Sequence, residues 1–203
     1  NLTATADILN SSAVAGTDAT LAAANIAGTT VSADAIASLT ATGNLLDSTV
    51  TAGTDALLSA AQIGGATVTA LNDATLTAAV VSASNISAGN DATVTGTVQV
   101  AGTTVNAVGT AELIGADLVN NTVAAATILA NDLSIANIVG GTYTSSGDTT
   151  LAALVEIGGV TVQAQGAAAL TTGADIVNST IEGSTVALNA AGNISNTAVE
   201  ALT

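Results

Sequence analysis

The chain has 203 residues, of which 15 are Asp or Glu and none is Lys, Arg or His, so its formal charge is −15. It contains no Cys, Pro, Met, Trp or Phe, and Tyr143 is its one aromatic residue. A chain without cationic side chains cannot neutralise phosphates, which argues against nucleic-acid binding and attachment to anionic lipid. The side chains of most metal, triad and redox sites are also missing. We therefore expect no enzymatic activity.

Hydrophobic residues make up 49% of the chain. That content argues for a folded protein, since disordered segments have low hydrophobicity. No apolar run approaches the roughly 18 residues of a membrane span, so we expect no membrane insertion. The chain starts at Asn1 rather than Met, which suggests a processed or truncated product and is compatible with the removal of an export signal.

An internal repeat runs along the whole sequence. Its signature is a pair of core residues, nearly all aliphatic, spaced by five: Leu9/Val14, Ile26/Val31, Leu45/Val50, Ile63/Val68, Val81/Ile86, Val100/Val105, Leu118/Val123, Ile138/Tyr143, Ile157/Val162, Ile176/Ile181 and Ile194/Val199. Ten steps separate Val14 from Val199, which gives a mean period of about 18.5 residues. This period excludes helical solenoids, whose units span roughly 33–47 residues.

In chain order, each copy predicts three short strands. The first holds an aliphatic residue five or six positions before the pair: Leu21, Leu39, Leu58, Leu76, Val94, Leu113, Leu133, Leu151, Leu170 and Leu188. The second and third strands hold the two members of the pair. A small residue follows the second member by two positions: Gly16, Ala33, Ala52, Ala70, Ala88, Ala107, Ala125, Ser145, Ala164, Gly183 and Ala201.

Residues that tolerate positive φ mark a corner between the second and third strands. They are Gly28, Asp47, Gly65, Gly102, Asn120, Gly140, Gly159, Asn178 and Asn196. Three strands and three corners per copy predict an all-β fold, a β-solenoid (β-helix) of about 11 coils of 18–19 residues. It forms one domain over residues 1–203, and stacking at the spacing of neighbouring strands gives a rod of about 50 Å.

Four fragments resemble the A-(D/N)-L unit of pentapeptide-repeat β-helices: Ala24-Asn25-Ile26, Ala116-Asp117-Leu118, Ala136-Asn137-Ile138 and Ala174-Asp175-Ile176. The period falls short of that family's twenty-residue coil. The Thr-, Asn-, Gly- and Ala-rich composition also resembles the repetitive passenger regions of secreted bacterial adhesins. These resemblances imply a β-helical fold and a place outside the cell or on its surface, and neither implies a catalytic residue.

Neither terminal segment of the sequence is long enough to cap a solenoid, although the last coils of such folds usually need a cap. We therefore expect a window of a longer solenoid or a subunit that stacks end to end. A capping domain outside the sequence is the alternative.

Threonine recurs one position before the third inward residue: Thr30, Thr49, Thr67, Thr104, Thr122, Thr142, Thr161 and Thr180. Some coils add a second hydroxyl two positions later, as in Thr49/Thr51. Two parallel ranks of Thr on a flat sheet suit an ordered water lattice. The same ladder also follows from the high strand propensity of Thr, so both interpretations stay open.

Asp55, Asp73 and Asp91 occupy the same place in successive coils. Stacked carboxylates repel one another and favour a hard cation, which predicts a calcium site. Asp also suits turns because it hydrogen-bonds to nearby backbone, and turn chemistry is the favoured interpretation.

The leading functional prediction is an extracellular or cell-surface structural protein that forms a filament, sheath or adhesin stalk by coil stacking. The alternative is an ice- or carbohydrate-binding solenoid that uses the Thr ladder. A third class, a β-helical hydrolase with paired carboxylates, lacks the aromatic or basic contacts of a sugar cleft.

Overall fold

The computed structural model describes residues 1–132 and 134–202, which form strands and turns with no helix. Every paired strand lies parallel to the equivalent strand of the coils before and after it. This arrangement confirms the predicted all-β solenoid of about 11 coils. The strands belong to two sheets, one of 19 strands and one of 11 strands.

The eleven-strand sheet contains the third side of each coil. Its strands are Ser12–Ala15, Thr30–Ala33, Thr49–Ala52, Thr67–Ala70, Asn85–Ala88, Thr104–Ala107, Thr122–Ala125, Thr142–Ser145, Thr161–Ala164, Thr180–Gly183 and Ala198–Ala201.

The nineteen-strand sheet contains the first and second sides. First-side strands are Leu2–Thr3, Ala19–Ala23, Ala37–Ala41, Ala56–Ser59, Thr127–Ala130, Thr149–Ala153, Ala167–Thr172 and Thr185–Ala190. Second-side strands are Ile8–Leu9, Ile26–Ala27, Asn44–Leu46, Gln62–Gly64, Asn137–Val139, Glu156–Gly158, Asp175–Val177 and Ile194–Ser195. In three coils one long strand covers both sides: Ala74–Ser82, Ala92–Ala101 and Thr110–Val119.

Three columns of larger side chains, one from each side, run along the core of the rod, with buried alanines beside them. The second-side column contains Ile26, Leu45, Ile63, Val81, Val100, Leu118, Ile138, Ile157 and Ile176, all 0% exposed. The third-side column contains Val31, Val50, Val68, Ile86, Val105, Val123, Tyr143, Val162 and Ile181, all buried. Because inward and outward residues alternate along a strand, the predicted spacing places these residues correctly.

The first-side column is also confirmed, with one difference. Leu21, Leu39, Leu58, Leu76, Val94, Leu113, Leu151 and Leu170 are buried, and Leu188 is partly buried. The predicted member Leu133 lies outside the described residues. Ala130 pairs in register with Leu151 and is fully buried.

The first coil departs from the predicted pattern. Ile8 pairs with Ile26 and Ala13 with Val31, so the inward pair is Ile8/Ala13 rather than Leu9/Val14. Leu9 is 53% exposed and Val14 is 82% exposed. The small residue of this coil is likewise Ala15, which pairs with Ala33, rather than Gly16.

Corner chemistry explains this shift of one residue. Asn10 adopts φ 47°, as Gly28 adopts φ 59° at the equivalent corner. The segment Asn10–Ser12 therefore aligns with residues 28–30, and the Ser11 hydroxyl donates to the Leu9 carbonyl. The pairs Ile8/Ala13 and Leu9/Val14 have the same spacing, and the second pair is the larger. The position of the corner at Asn10, rather than the size of the apolar residues, therefore sets the register of this coil.

Candidate functional site

The Thr column of the eleven-strand sheet is continuous over much of the rod. Thr30 pairs with Thr49 and Thr49 with Thr67, and Asn85 links Thr67 to Thr104. The column then continues through Thr122, Thr142, Thr161 and Thr180. All of these side chains are exposed or half-buried. The structure therefore brings all eight predicted residues into one outward rank.

A second outward rank lies two residues farther along each strand. In the early coils it contains Ser32, Thr51, Thr69 and Ser87, which pair in register. Later it passes through Asn106, Ala124 and Thr144 to Gln163, Glu182 and Glu200. Neighbouring hydroxyls are about 4.8 Å apart along the rod and about 6.6 Å apart along a strand.

A polar column inside the corner supports the edge of this face. The Ser48 hydroxyl donates to the Leu46 carbonyl at 2.9 Å and accepts from the Thr29 amide of the preceding coil at 3.3 Å. Ser84 and Ser179 make the same pair of contacts. All three serines are 2% exposed or less.

Sequence reasoning missed this column. Its signal is the small or polar residue that stands between most corner residues and the following ladder Thr, as in Gly28-Thr29-Thr30 and Asp47-Ser48-Thr49, with Val160 as the exception. Asn121 extends the pattern, since its Oδ1 accepts from the Thr103 amide at 3.0 Å and its Nδ2 donates to the Val100 carbonyl at 2.9 Å.

The three aspartates predicted as calcium ligands are stacked as expected. Asp55 Oδ1 accepts from the Asp73 amide at 3.2 Å, and Asp73 Oδ1 accepts from the Asp91 amide at 3.1 Å. Asp91 Oδ1 accepts from the Thr110 amide at 2.6 Å. Each carboxylate thus binds the backbone of the next coil.

Asparagine side chains add to the same ladder. Asn72 Nδ2 lies 2.8 Å from Asp55 Oδ1, and Asn90 Nδ2 lies 2.9 Å from Asp73 Oδ1. These amide donors offset part of the repulsion between stacked carboxylates. Among residues 1–132 and 134–202, no group of three or more acidic side chains is placed to hold a metal ion. Calcium binding stays a prediction, and the contacts of these carboxylates join one coil to the next rather than closing a local turn.

Tyr143 is fully buried in the third-side column, between Val123 and Val162. Its hydroxyl has no hydrogen-bond partner among the described residues. Burial raises the pKa of the phenol well above its ordinary value, because the charged form loses its hydration.

Shallow grooves lie on the rod surface near the Thr face, and one of them is lined by Glu182. Another groove has a volume of about 450 Å³ and follows the small residues Ala88, Ala107, Ala125 and Ser145 beside the third side. Its walls offer methyl, hydroxyl and amide groups, with Asn106 and Gln165 at the rim. The groove is therefore formed by residues at equivalent positions of successive coils.

No protein-family model matches the chain, and neither a curated protein nor a solved structure is significantly similar to it. The resemblance to pentapeptide-repeat sequences therefore rests on the four quoted fragments, and the resemblance to adhesin sequences rests on composition alone. Within the described part of the chain, no helix is long and apolar enough to cross a membrane.

Proposed function

We propose that this protein is an extracellular or cell-surface structural rod that elongates by stacking coil on coil, as a filament, sheath or adhesin stalk. The observation that supports the proposal is the unbroken parallel pairing of the eleven-strand sheet from Ser12–Ala15 to Ala198–Ala201. In such a stack each coil contacts only its neighbours, so one kind of interface is repeated along the rod.

The last described coil offers that same interface to a further coil. Ile194 is 49% exposed and Val199 is 51% exposed, although their equivalents Ile176 and Ile181 are 0% exposed. Their strands pair on one side with the preceding coil. An added coil would bury both side chains and pair the free strand edges, which otherwise template association.

The acidic composition favours rods that stay separate from one another. All 15 ionisable carboxyl side chains carry the same sign and no basic side chain is present. Like charge keeps proteins soluble and opposes side-by-side association. The absence of Lys and Arg also removes every cleavage site for trypsin-like proteases, which suits a long-lived product outside the cell.

Electron microscopy and sedimentation of the purified chain test this proposal. We expect unbranched rods longer than the roughly 50 Å of a single chain. Val199→Asp places a charge on the end face and should convert the rods to monomers. Thr180→Asp adds the same charge to the outward face of the neighbouring strand and should leave them intact. Monomeric wild-type protein, or unchanged rods in Val199→Asp, would contradict the proposal.

A second candidate function is the binding of ice or a carbohydrate surface by the Thr face. The observation that favours it is the register of the Thr column, which holds eight threonines in one outward rank. Retention on growing ice and on insoluble polysaccharide tests it. Failure to bind either material would remove this candidate and leave the structural proposal untouched.

A further inference from the structure

A second hydroxyl face lies on the first side of the solenoid. Between residues 19 and 95, its outward residues pair in register in two ranks. The first rank is Thr20, Ser38, Leu57, Thr75 and Thr93, and the second is Ala22, Thr40, Ser59, Thr77 and Thr95. Eight of these ten side chains carry a hydroxyl, and all ten are exposed or half-buried.

The same coils contain the most uniform part of the Thr face. Between residues 30 and 106, both ranks of the eleven-strand sheet contain only Thr, Ser and Asn: Thr30, Ser32, Thr49, Thr51, Thr67, Thr69, Asn85, Ser87, Thr104 and Asn106. We call this set the early Thr face. The ranks of both faces lose this uniformity in later coils, where Glu112, Ile114, Glu182 and Glu200 interrupt them.

Neither face carries a charge in these early coils. Their acidic residues lie at the corners, where Asp18, Asp55, Asp73 and Asp91 bind the backbone of the next coil. A ligand that fits these faces is therefore neutral. It also repeats in two dimensions, because the hydroxyls recur along the rod and along each strand.

Threonine suits a rigid template. Its β-branched side chain is stiff about χ1, so an ordered rank loses little conformational entropy when it meets a surface. Each hydroxyl both donates and accepts hydrogen bonds, as water molecules do. An exposed aromatic ring, which a sugar would stack on, is not part of either face, and Tyr143 is buried in the core.

We propose that the early Thr face binds ordered water at the surface of ice, with the first-side hydroxyl ranks as a second contact face of the same coils. This inference rests on the second candidate function. It narrows the ligand from ice or carbohydrate to ice, and it confines the site to residues 19–107 rather than the full Thr column.

Thermal hysteresis and uptake of the protein into slowly growing ice measure this binding. The double variant Thr51→Gln and Thr69→Gln introduces two glutamines into the early Thr face. Glutamine is chosen because the second rank already contains it in a later coil, at Gln163. We expect this variant to lose most of its hysteresis. Thr144→Gln, the matched control in the same rank beside Gln163, should keep it, and Thr75→Gln with Thr77→Gln should lose part of it.

Circular dichroism and unfolding midpoints confirm that each variant is folded. The inference is overturned if wild-type protein shows no hysteresis, or if the Thr51/Thr69 variant and the Thr144 variant behave alike. Binding to insoluble polysaccharide that Thr51→Gln and Thr69→Gln abolish, without ice binding, would overturn the inference and preserve the second candidate function. Binding to neither material would end both.

Discussion

The coils from residue 19 to 125 differ from the coil that follows them. In the first region the second-side column advances by 18 or 19 residues, as from Ile26 to Leu45 and from Ile63 to Val81. From Leu118 to Ile138 it advances by 20. The longer coil nevertheless returns to the same register, since Ile138 pairs with Ile157 in the next coil.

The added length lies at a corner near Asp132. Its carboxylate accepts from the Ser134 hydroxyl at 2.6 Å and from the Ser134 amide at 2.8 Å. These bonds lower the pKa of Asp132. Ile135 is fully buried beyond this turn. The difference teaches that a corner absorbs extra residues locally, whereas the second-side and third-side columns keep their register.

Removal of a column side chain from the regular region should have the largest effect. Ile63 is 0% exposed, and Ile63→Ala should lower the free energy of unfolding by about 4 kcal/mol, since it leaves a cavity that stacked coils cannot close. Ile194 belongs to the same column but is 49% exposed. In a chain that is not stacked on another coil, Ile194→Ala should cost only about 1 kcal/mol. Equal losses in urea unfolding would show that the column does not carry the stability.

A glycine in the regular region tests how closely the coils stack. A Cβ at Gly53 would meet the carbonyl oxygen of Asp34 in the preceding coil. Gly53→Ala should therefore lower the free energy of unfolding by about 2 kcal/mol through overpacking. Gly16 belongs to the same column, and a Cβ there has its nearest neighbour 3.8 Å away, at Asp34 Oδ2. If Gly16→Ala were equally destabilising in thermal unfolding, the contact would not be the cause.

The longer coil contains the buried hydroxyl of Tyr143, which has no hydrogen-bond partner within residues 1–132 and 134–202. Tyr143→Phe removes that hydroxyl and keeps the ring, so it should raise the free energy of unfolding by about 1.5 kcal/mol. Tyr143→Val matches the neighbouring coils but leaves a cavity. It should be less stable than Tyr143→Phe, as denaturant unfolding would show.

High pH sharpens the test at Tyr143. The folded-state pKa of its phenol is raised, while in the unfolded chain it is about 10. Above pH 10 the unfolded state loses the proton first, so stability falls as pH rises. The chain has no Lys, Arg or Cys, so Tyr143 is the one side chain that titrates there. The free energy of unfolding of Tyr143→Phe should not fall over this pH range. An equal fall in the variant would exclude Tyr143 as the cause.

The smallest effect is expected at the corner residue Ala83. It adopts φ 49°, a conformation that costs an L-residue roughly 1–2 kcal/mol. Ala83→Gly should therefore raise the free energy of unfolding by about 1 kcal/mol, since part of the gain is lost to the flexibility of Gly in the unfolded chain. Ala101→Gly, in the strand that pairs beside this corner, should lower it. A loss of stability in both variants would contradict the assigned strain.

Much of the fold follows from short-range patterns. The nine residues predicted to mark the corner all adopt positive φ, because Gly, Asn and Asp are chosen there for backbone reasons. The inward columns follow from the alternation of strands. The structure adds Ala83 to the same corner column, and its type gave no signal of that conformation.

The register of the first coil and the roles of polar side chains could not be read from the same patterns. Ile8/Ala13 and Leu9/Val14 have equal spacing, and only the corner contacts of Asn10 and Ser11 distinguish them. The buried Ser48 hydroxyl and the Asp73 carboxylate bind partners in another coil. Such contacts depend on stacking. The eight ladder threonines were found because one position of the repeat fixes their direction.

The parallel pairing of every coil has a mechanical consequence. Hydrogen bonds between strands cross from coil to coil, so they are aligned with the long axis of the rod. A force applied to the two chain ends therefore loads the bonds of a terminal coil before those of the interior. We expect the protein to unfold one coil at a time under such a force, with each release lengthening the chain by about 60 Å.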